Sequence, residues 1–444
     1  MVSGSKKVIV GLGKTGYSCA RYFSSQAVPF EVLDQDRSPL LLAQFKQEFP
    51  AVTVSTGKLN QKMLLSADEI VVSPGVPLST PEIQNAVAAG IKVSGDIEIF
   101  SRVVAKPVIA ITGSNGKSTV TTMVGQMALD SGRDTGVGGN LGLPALDLLS
   151  SDHDLYVLEI SSFQLETVEA LHAQIAVVLN LSPDHLDRYA SQDHYYGTKG
   201  RIFEGCERAV INRDQVFEFG LPDTSTWSFG TSAPTSEYEL GLTGRSGQTY
   251  LTWGTKPLLR AEDLKIKGMH NYLNALASLA IGLAADFPLE GMLETLTGFA
   301  GLAHRCEWVA CIDGVDFFDD SKATNVGATV AAIKGLGETS AGKIILIAGG
   351  VAKGADFAPL RDPVKAHVRS AILMGQDADA IDAVLQGVVP VDRVADLTEA
   401  VELSVQQSNK GDMVLLSPAC SSLDMFDNFE QRGNLYKKLI AEYG

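Results

Sequence analysis

Short runs of Val, Ile and Leu recur along almost the whole chain, each followed by a helix-length segment. This alternation predicts parallel strands covered by helices. The first unit opens with Lys7-Val-Ile-Val10 and closes a β-α-β element with Phe30-Glu-Val-Leu-Asp34. Further strand-like runs are Glu69-Ile-Val-Val72, Val108-Ile-Ala-Ile-Thr112, Leu155-Tyr-Val-Leu-Glu159 and Ile175-Ala-Val-Val-Leu-Asn180. Lys343-Ile-Ile-Leu-Ile-Ala-Gly-Gly350, Ala371-Ile-Leu-Met-Gly375 and Asp412-Met-Val-Leu-Leu-Ser-Pro418 repeat the strand-to-loop pattern in the last third. From about 220 to 260 the chain turns to Gly, Ser and Thr with Trp227, Tyr250 and Trp253, predicting turns and antiparallel edge strands. Residues 268–280 have the periodicity of an amphipathic helix, with Asn271 and Asn274 on one face near its start. Asn271 is there either a ligand amide or an ordinary cap.

The 444 residues exceed one ordinary core and suggest roughly three domains. Composition places one boundary near Gly95 and another at the polar interruption Gly301-Leu-Ala-His-Arg-Cys-Glu307, read as a linker. The expected domains are 1–95, 96–301 and 302–444. A net charge of −16 argues against an extended nucleic-acid surface, so anionic ligands must be held locally. The five cysteines are scattered without a C-x-x-C pair, which suggests neither a disulfide framework nor a zinc site but small buried hydrophobes. No signal-peptide h-region or membrane span is evident, so a cytoplasmic protein without membrane or nucleic-acid partners is expected.

Chemistry concentrates where strands end. Val108-Ile-Ala-Ile-Thr112 breaks into Gly113-Ser-Asn-Gly-Lys-Ser-Thr119. Glycines let backbone N–H groups turn toward a phosphate, Lys117 can reach its outer oxygens, and Ser118 offers a hydroxyl to Mg²⁺. Ile111 stands where the strict G-x-x-x-x-G-K-[ST] pattern has its first glycine. Upstream, Gly11, Gly13 and Gly16 with Asp34 complete a G-x-G-x-x-G fingerprint. Alone it fits a nicotinamide dinucleotide as well as any other diphosphate, or simple helix-on-strand packing. Ser73-Pro-Gly75 should lie on the same carboxyl edge. Glu159 ends a buried-type strand, as does the acid that serves Mg²⁺ in P-loop proteins. The loop with Asn140 could deliver an amide to a ligand or be a plain turn. His185 stands between Asp184 and Asp187 at another strand exit, a place for a second metal or a phosphate. Lys199 reads as a surface lysine of a helix, and residues 317–325 end a strand in a dense polar cluster.

With these motifs the chain resembles the Mur ligase family from its first strand to its last helix. The resemblance rests on residues 112–119, Glu159-Ile-Ser-Ser-Phe-Gln-Leu-Glu166, Asp184-His-Leu-Asp-Arg188, His270-Asn-Tyr-Leu-Asn-Ala275, Asp320-Ser-Lys-Ala-Thr-Asn325 and residues 417–434. It implies an α/β chain of three domains: a Rossmann-like N-terminal domain for a uridine diphosphate substrate, a central P-loop ATPase with a mainly parallel sheet, and a Rossmann-like C-terminal domain for an incoming amino acid. It also implies ATP-dependent amide ligation through an acyl phosphate. The closest likeness is to members that add D-glutamate to UDP-MurNAc-L-Ala, with ligases adding other amino acids as the rival.

Carried over by motif, Lys14, Thr15, Gly16, Asp34, Gln35, Arg37, Ser73, Pro74 and Gly75 meet the uridine diphosphate moiety, and Asn140 and His185 the muramoyl part. Gly113, Ser114, Asn115, Gly116, Lys117, Ser118 and Thr119 hold the phosphates of ATP, and Asn271, Asn274, Arg305 and Asp320 the rest of that nucleotide. Ser118 and Glu159 serve one Mg²⁺. His185 and Lys199 serve a second, Lys199 as a carbamate, since an ordinary ammonium is no metal ligand. Lys117, His185 and Lys199 are thereby the implied catalytic set. Lys322, Thr324, Lys353, Ser422, Leu423 and Phe429 correspond to the D-glutamate pocket, and a monomer is expected. The sequence departs from the family at Asp34-Gln-Asp-Arg37 and at Val351-Ala352 ahead of Lys353.

Overall fold

The computed structural model describes residues 6–184, 188–215, 217–221, 226–338, 342–352 and 354–443. Their contacts group into two compact units, one of Met1–Leu181, Arg188–Phe229 and Ala277–Met292, the other of Ser182–Asp187, Gly230–Leu276 and Leu293–Gly444.

The first unit holds two parallel sheets. The N-terminal sheet contains β1 (Lys7–Val10), β2 (Phe30–Asp34), β3 (Val54–Thr56), β4 (Glu69–Val72) and β5 (Lys92–Ser94) in the order β3-β2-β1-β4-β5. The direction of winding reverses between β1 and β4, which opens a crevice at their carboxyl ends. The central sheet contains β6 (Val108–Thr112), β7 (Thr135–Gly139), β8 (Leu155–Glu159), β9 (Ile175–Val178), β10 (Arg208–Asn212) and β11 (Thr226–Phe229). These run β11-β10-β9-β6-β8-β7, each pair parallel. Strands β6, β8 and β9 are buried along their whole length, as their continuous apolar runs require of a sheet covered on both faces. The helix Asp96–Val103 sits between the two sheets and buries Ile97 and Phe100 in one core with Ile9, Val71, Ala110 and Leu158.

In the second unit, β12 (Glu239–Arg245), β13 (Gln248–Trp253) and β14 (Lys256–Arg260) form the antiparallel meander expected of the Gly- and Thr-rich segment. The third sheet contains β15 (Glu307–Ile312), β16 (Val315–Asp319), β17 (Ile344–Gly349), β18 (Val368–Met374), β19 (Val391–Arg393) and β20 (Met413–Leu416). Its order is β15-β16-β20-β17-β18-β19, with only the β15–β16 hairpin antiparallel.

The interruption at residues 301–307, read as a linker, is anchored: His304 is 5% exposed and its imidazole is held by the buried Asp319 carboxylate. Not all cysteines are buried as the sequence suggests: Cys311 is exposed on the β15 edge strand, just past the register shift between Trp308 and Ala310. No helix among the described residues is long and apolar enough to cross a membrane.

Candidate active site

Strand β6 lies between β9 and β8, and its chain leaves the sheet through Gly113 at φ +154° and Gly116 at φ +81°. A Cβ at Gly113 would sit 3.0 Å from Leu179 Cβ and 3.3 Å from the Asn180 N–H, so both space and φ demand glycine there. Gly116 starts the helix Lys117–Asp130, which has no side-chain cap, so the loop faces its uncapped N–H groups and positive end. The Lys117 ammonium donates to the Gly113 and Ser114 carbonyls at 2.9 and 3.0 Å.

One carboxylate organises the far side of the loop. Glu159 is 3% exposed; its Oε2 accepts from Ser118 Oγ at 2.6 Å and its Oε1 from Asn140 Nδ2 at 2.7 Å. Ser118, Asn140 and Glu159, far apart in sequence, therefore meet at one point. A hydroxyl, a carboxylate and an amide form an oxygen-rich donor set of the kind a hard cation such as Mg²⁺ takes.

Lys199 is not the surface lysine that its local sequence suggests. It is 1% exposed, its Nζ donates to the Gly113 carbonyl at 2.9 Å, and it lies 4.8 Å from the Tyr195 ring centre. The cause is the helix Gln192–Gly200, which buries Tyr195, Tyr196, Thr198 and Lys199, with the Tyr195 hydroxyl 3.2 Å from Ser114 Oγ. The ammonium groups of Lys117 and Lys199 thus converge on one carbonyl oxygen. Asn180 escaped the sequence reading. It braces the loop: its carbonyl accepts from Ser114 N–H, its Oδ1 from Asn115 N–H, and its Nδ2 donates to the Asn115 carbonyl, all at 2.8 Å. The available signal was its position at the exit of β9, the strand beside the phosphate loop. His185 and Lys353 lie outside the described residues.

At the N-terminal crevice, Gly11 has φ +96° and a Cβ on Gly16 would collide with the Gly11 carbonyl oxygen, so these two fingerprint glycines are sterically required, whereas Gly13 has open space around it. Asp34 holds this turn: its Oδ2 accepts from Leu12 N–H at 2.6 Å and its Oδ1 from Asp36 N–H at 2.8 Å. Ser73 Oγ donates to the Gly11 carbonyl at 2.9 Å and ties the loop after β4 to the same edge. Lys14, Gln35, Arg37 and Gly75 are exposed around it, Thr15 and Pro74 half-buried, and Gly16 and Ser73 buried.

In the second unit, the Asn274 amide donates to Asn271 Oδ1 at 3.2 Å, confirming that the two share a face. Asn271 is no cap: its Nδ2 reaches back to the Lys267 carbonyl at 2.9 Å. Asp320 accepts from Ser417 Oγ at 2.7 Å and from Cys306 N–H at 3.0 Å. Burial pushes its carboxyl up to about 7, aided by Asp319 and opposed by these hydrogen bonds and by the charge of Arg305. The Lys322 ammonium lies 3.7 Å from the Phe429 ring centre; Ser422 is buried, Thr324 and Leu423 exposed. Beneath them, Arg432, also missed from sequence, is 1% exposed and donates to Ser321 Oγ at 3.0 Å and the Ser321 carbonyl at 2.9 Å. Burial lowers its pKa to about 10.

Comparison with known proteins covers all three sheets. Residues 5–95 match the Mur ligase MurD-like N-terminal domain, 111–282 the Mur ligase middle domain, and 304–420 the Mur ligase glutamate ligase domain. The UDP-N-acetylmuramoylalanine--D-glutamate ligase of Pseudomonas aeruginosa is 50% identical over 438 residues, 98% of each chain. The protein of the same name from Hahella chejuensis is 48% identical over 437 residues, 97% of each chain. Among solved structures, the UDP-N-acetylmuramate-alanine ligase of Thermotoga maritima superposes with TM-score 0.63 at 18% identity, covering 99% of this chain and 100% of that one. The MurF ligase of the same organism, in complex with ADP, gives 0.62 at 14% identity, with 100% and 97% covered. At such identities the structural likeness bears on the fold alone. A phosphate loop backed by a buried glutamate, three α/β sheets and family matches along nearly the whole length converge: the chain belongs to the Mur ligase family, ATP-dependent ligases of three-domain α/β fold.

Proposed function

We propose that this ligase joins D-glutamate to UDP-N-acetylmuramoyl-L-alanine in peptidoglycan precursor synthesis. The observation that carries the substrate assignment is the identity of about half of all positions, along nearly the full length, to ligases that bear this name. In the proposed reaction the alanyl carboxylate attacks the γ-phosphorus of ATP and the bond to ADP breaks. The resulting acyl phosphate takes the amine of D-glutamate at its carbonyl carbon. The tetrahedral adduct loses a proton and collapses, forming the amide and releasing phosphate.

The residue roles are those implied by the motifs, and the geometry of the described residues supports them. Lys117 and the uncapped N–H groups at the start of its helix face the outer phosphates, where positioning and charge stabilisation govern phosphoryl transfer. Ser118 and Glu159 would hold one Mg²⁺, with Asn140 fixing the carboxylate; the ion would neutralise charge developing on the phosphates. A second Mg²⁺ would take His185 and Lys199. The buried Lys199 and half-buried Lys117 ammonium groups at the Gly113 carbonyl repel each other. Carbamylation of Lys199 would reverse one of these charges and supply an oxygen ligand. Asn271, Asn274, Arg305 and Asp320 are assigned to the nucleotide, and Lys322, Thr324, Lys353, Ser422, Leu423 and Phe429 to D-glutamate. The uridine diphosphate moiety is assigned to Lys14, Thr15, Gly16, Gln35, Arg37, Ser73, Pro74 and Gly75, with Asp34 shaping their turn. The working domains are taken as 1–95, 96–301 and 302–444, in a cytoplasmic monomer without membrane or nucleic-acid partners.

The test is phosphate release by the purified protein given ATP, Mg²⁺, UDP-N-acetylmuramoyl-L-alanine and one amino acid at a time. D-Glutamate should support turnover; L-lysine and meso-diaminopimelate should not. Turnover with either of those and none with D-glutamate overturns the assignment.

A further inference from the structure

A residue that none of the assignments above uses spans the two sheets of the first unit. Arg188 follows β9 in sequence, yet its guanidinium reaches the loop after β4. Its Nη1 donates to the Pro74 carbonyl at 2.7 Å and its Nη2 to the Val76 carbonyl at 3.4 Å. The same group forks onto Glu166, Nε to Oε1 at 3.0 Å and Nη2 to Oε2 at 2.7 Å, and its carbon lies 4.1 Å from the centre of the Phe163 ring. Both charged side chains are nearly buried, at 11% and 13% exposure. Glu166 is held in turn through its carbonyl by Arg201 at 2.9 Å. A bidentate, stacked arginine at a buried site has fixed geometry that a lysine cannot reproduce.

The two ends of this clasp have different tasks. The Pro74–Val76 end belongs to the loop at the diphosphate crevice, which Ser73 ties to Gly11 independently of Arg188. The Phe163–Glu166 end continues the chain that leaves β8 through Glu159, the carboxylate bonded to Ser118 of the phosphate loop. A substrate with its diphosphate at the first end and its carboxylate at the second needs their separation fixed, because small misplacements of reacting groups cost large factors in rate.

We infer that Arg188 is a positioning residue that sets the span between the diphosphate crevice and the phosphate loop, and so governs use of the whole nucleotide-sugar substrate rather than of either end alone. This rests on the proposed reaction, so the wild-type protein is first required to turn over ATP with UDP-N-acetylmuramoyl-L-alanine and D-glutamate; failure at that point counts against the reaction and not the clasp.

The test compares wild type with Arg188→Lys and Glu166→Gln, which keep the chain's volume and break the fork from either side. Each variant should bind UDP with unchanged Kd and keep its KM for ATP. Its KM for UDP-N-acetylmuramoyl-L-alanine should rise about tenfold and its kcat fall by a similar factor, the pattern of a misplaced carboxylate. A merely structural role would weaken UDP and the whole substrate together. Such a parallel loss, or wild-type kinetics in both variants, overturns the inference. Should one variant fail to fold, the other carries the same comparison.

Discussion

Asp320 shows at the scale of one residue how burial sets protonation. An exposed aspartate titrates near 4. This one is pushed up to about 7 by desolvation, although Ser417 Oγ and Cys306 N–H favour its charged form. Its folded pKa is therefore raised, so its contribution to stability is full below about pH 4 and disappears as pH rises through 7. Between those values the unfolded chain has lost a proton that the folded chain keeps. Asp320→Asn retains an acceptor but cannot ionise. We expect the variant to gain stability relative to wild type as pH rises from 4 to 7, by on the order of a few kcal/mol, and the difference to level off above 8. Denaturant titrations at a series of pH values measure it; parallel pH profiles of the two proteins would show that Asp320 does not carry this slope.

At the scale of elements, the helix Gln192–Gly200 explains both what could be read from sequence and what could not. The phosphate loop was legible because its chemistry is contiguous: a buried strand, two obligatory glycines, Lys117 and Ser118 follow one another. The parallel, helix-covered character of the sheets was legible too, since continuous apolar runs belong to sheets covered on both sides. The burial of Lys199 was not, because it depends on how Tyr195 and Lys199, one helical turn apart, dock on Ser114 and Gly113 some eighty residues away in the chain. Asn180 and Arg188 were missed for the same reason: their partners are remote, and neither residue type is unusual where it stands. The helix also carries a prediction. If Lys199 acts as a carbamate, Lys199→Ala should lose activity by on the order of a hundredfold. Added formate or acetate should restore part of it by supplying the missing carboxylate. Near-normal turnover of the variant, or a loss that no short carboxylate relieves, counts against the carbamate.

At the scale of the molecule, candidate residues for different substrates fall in different compact units. The crevice around Gly11–Gly16 belongs to the first unit, whereas Lys322, Thr324, Ser422, Leu423 and Phe429 belong to the second. A chain of net charge −16 that uses anionic substrates gains nothing from long-range attraction, so the uridine diphosphate and D-glutamate must each be caught by local donors. Binding free energy then stabilises first the unit that supplies the contacts. A ligand at a hundred times its Kd adds about 2.7 kcal/mol to the opening of the structure it binds, which corresponds to roughly hundredfold slower exchange of the amides released by that opening. UDP should therefore slow hydrogen exchange in β1, β4 and β6 and leave β16, β17 and β20 nearly unchanged. D-Glutamate should do the opposite. Peptide-resolved exchange with each ligand alone distinguishes the outcomes: protection of β16, β17 and β20 by UDP, or of β1 and β4 by D-glutamate, would mean that the ligand-to-unit assignment is wrong even if the overall reaction is right.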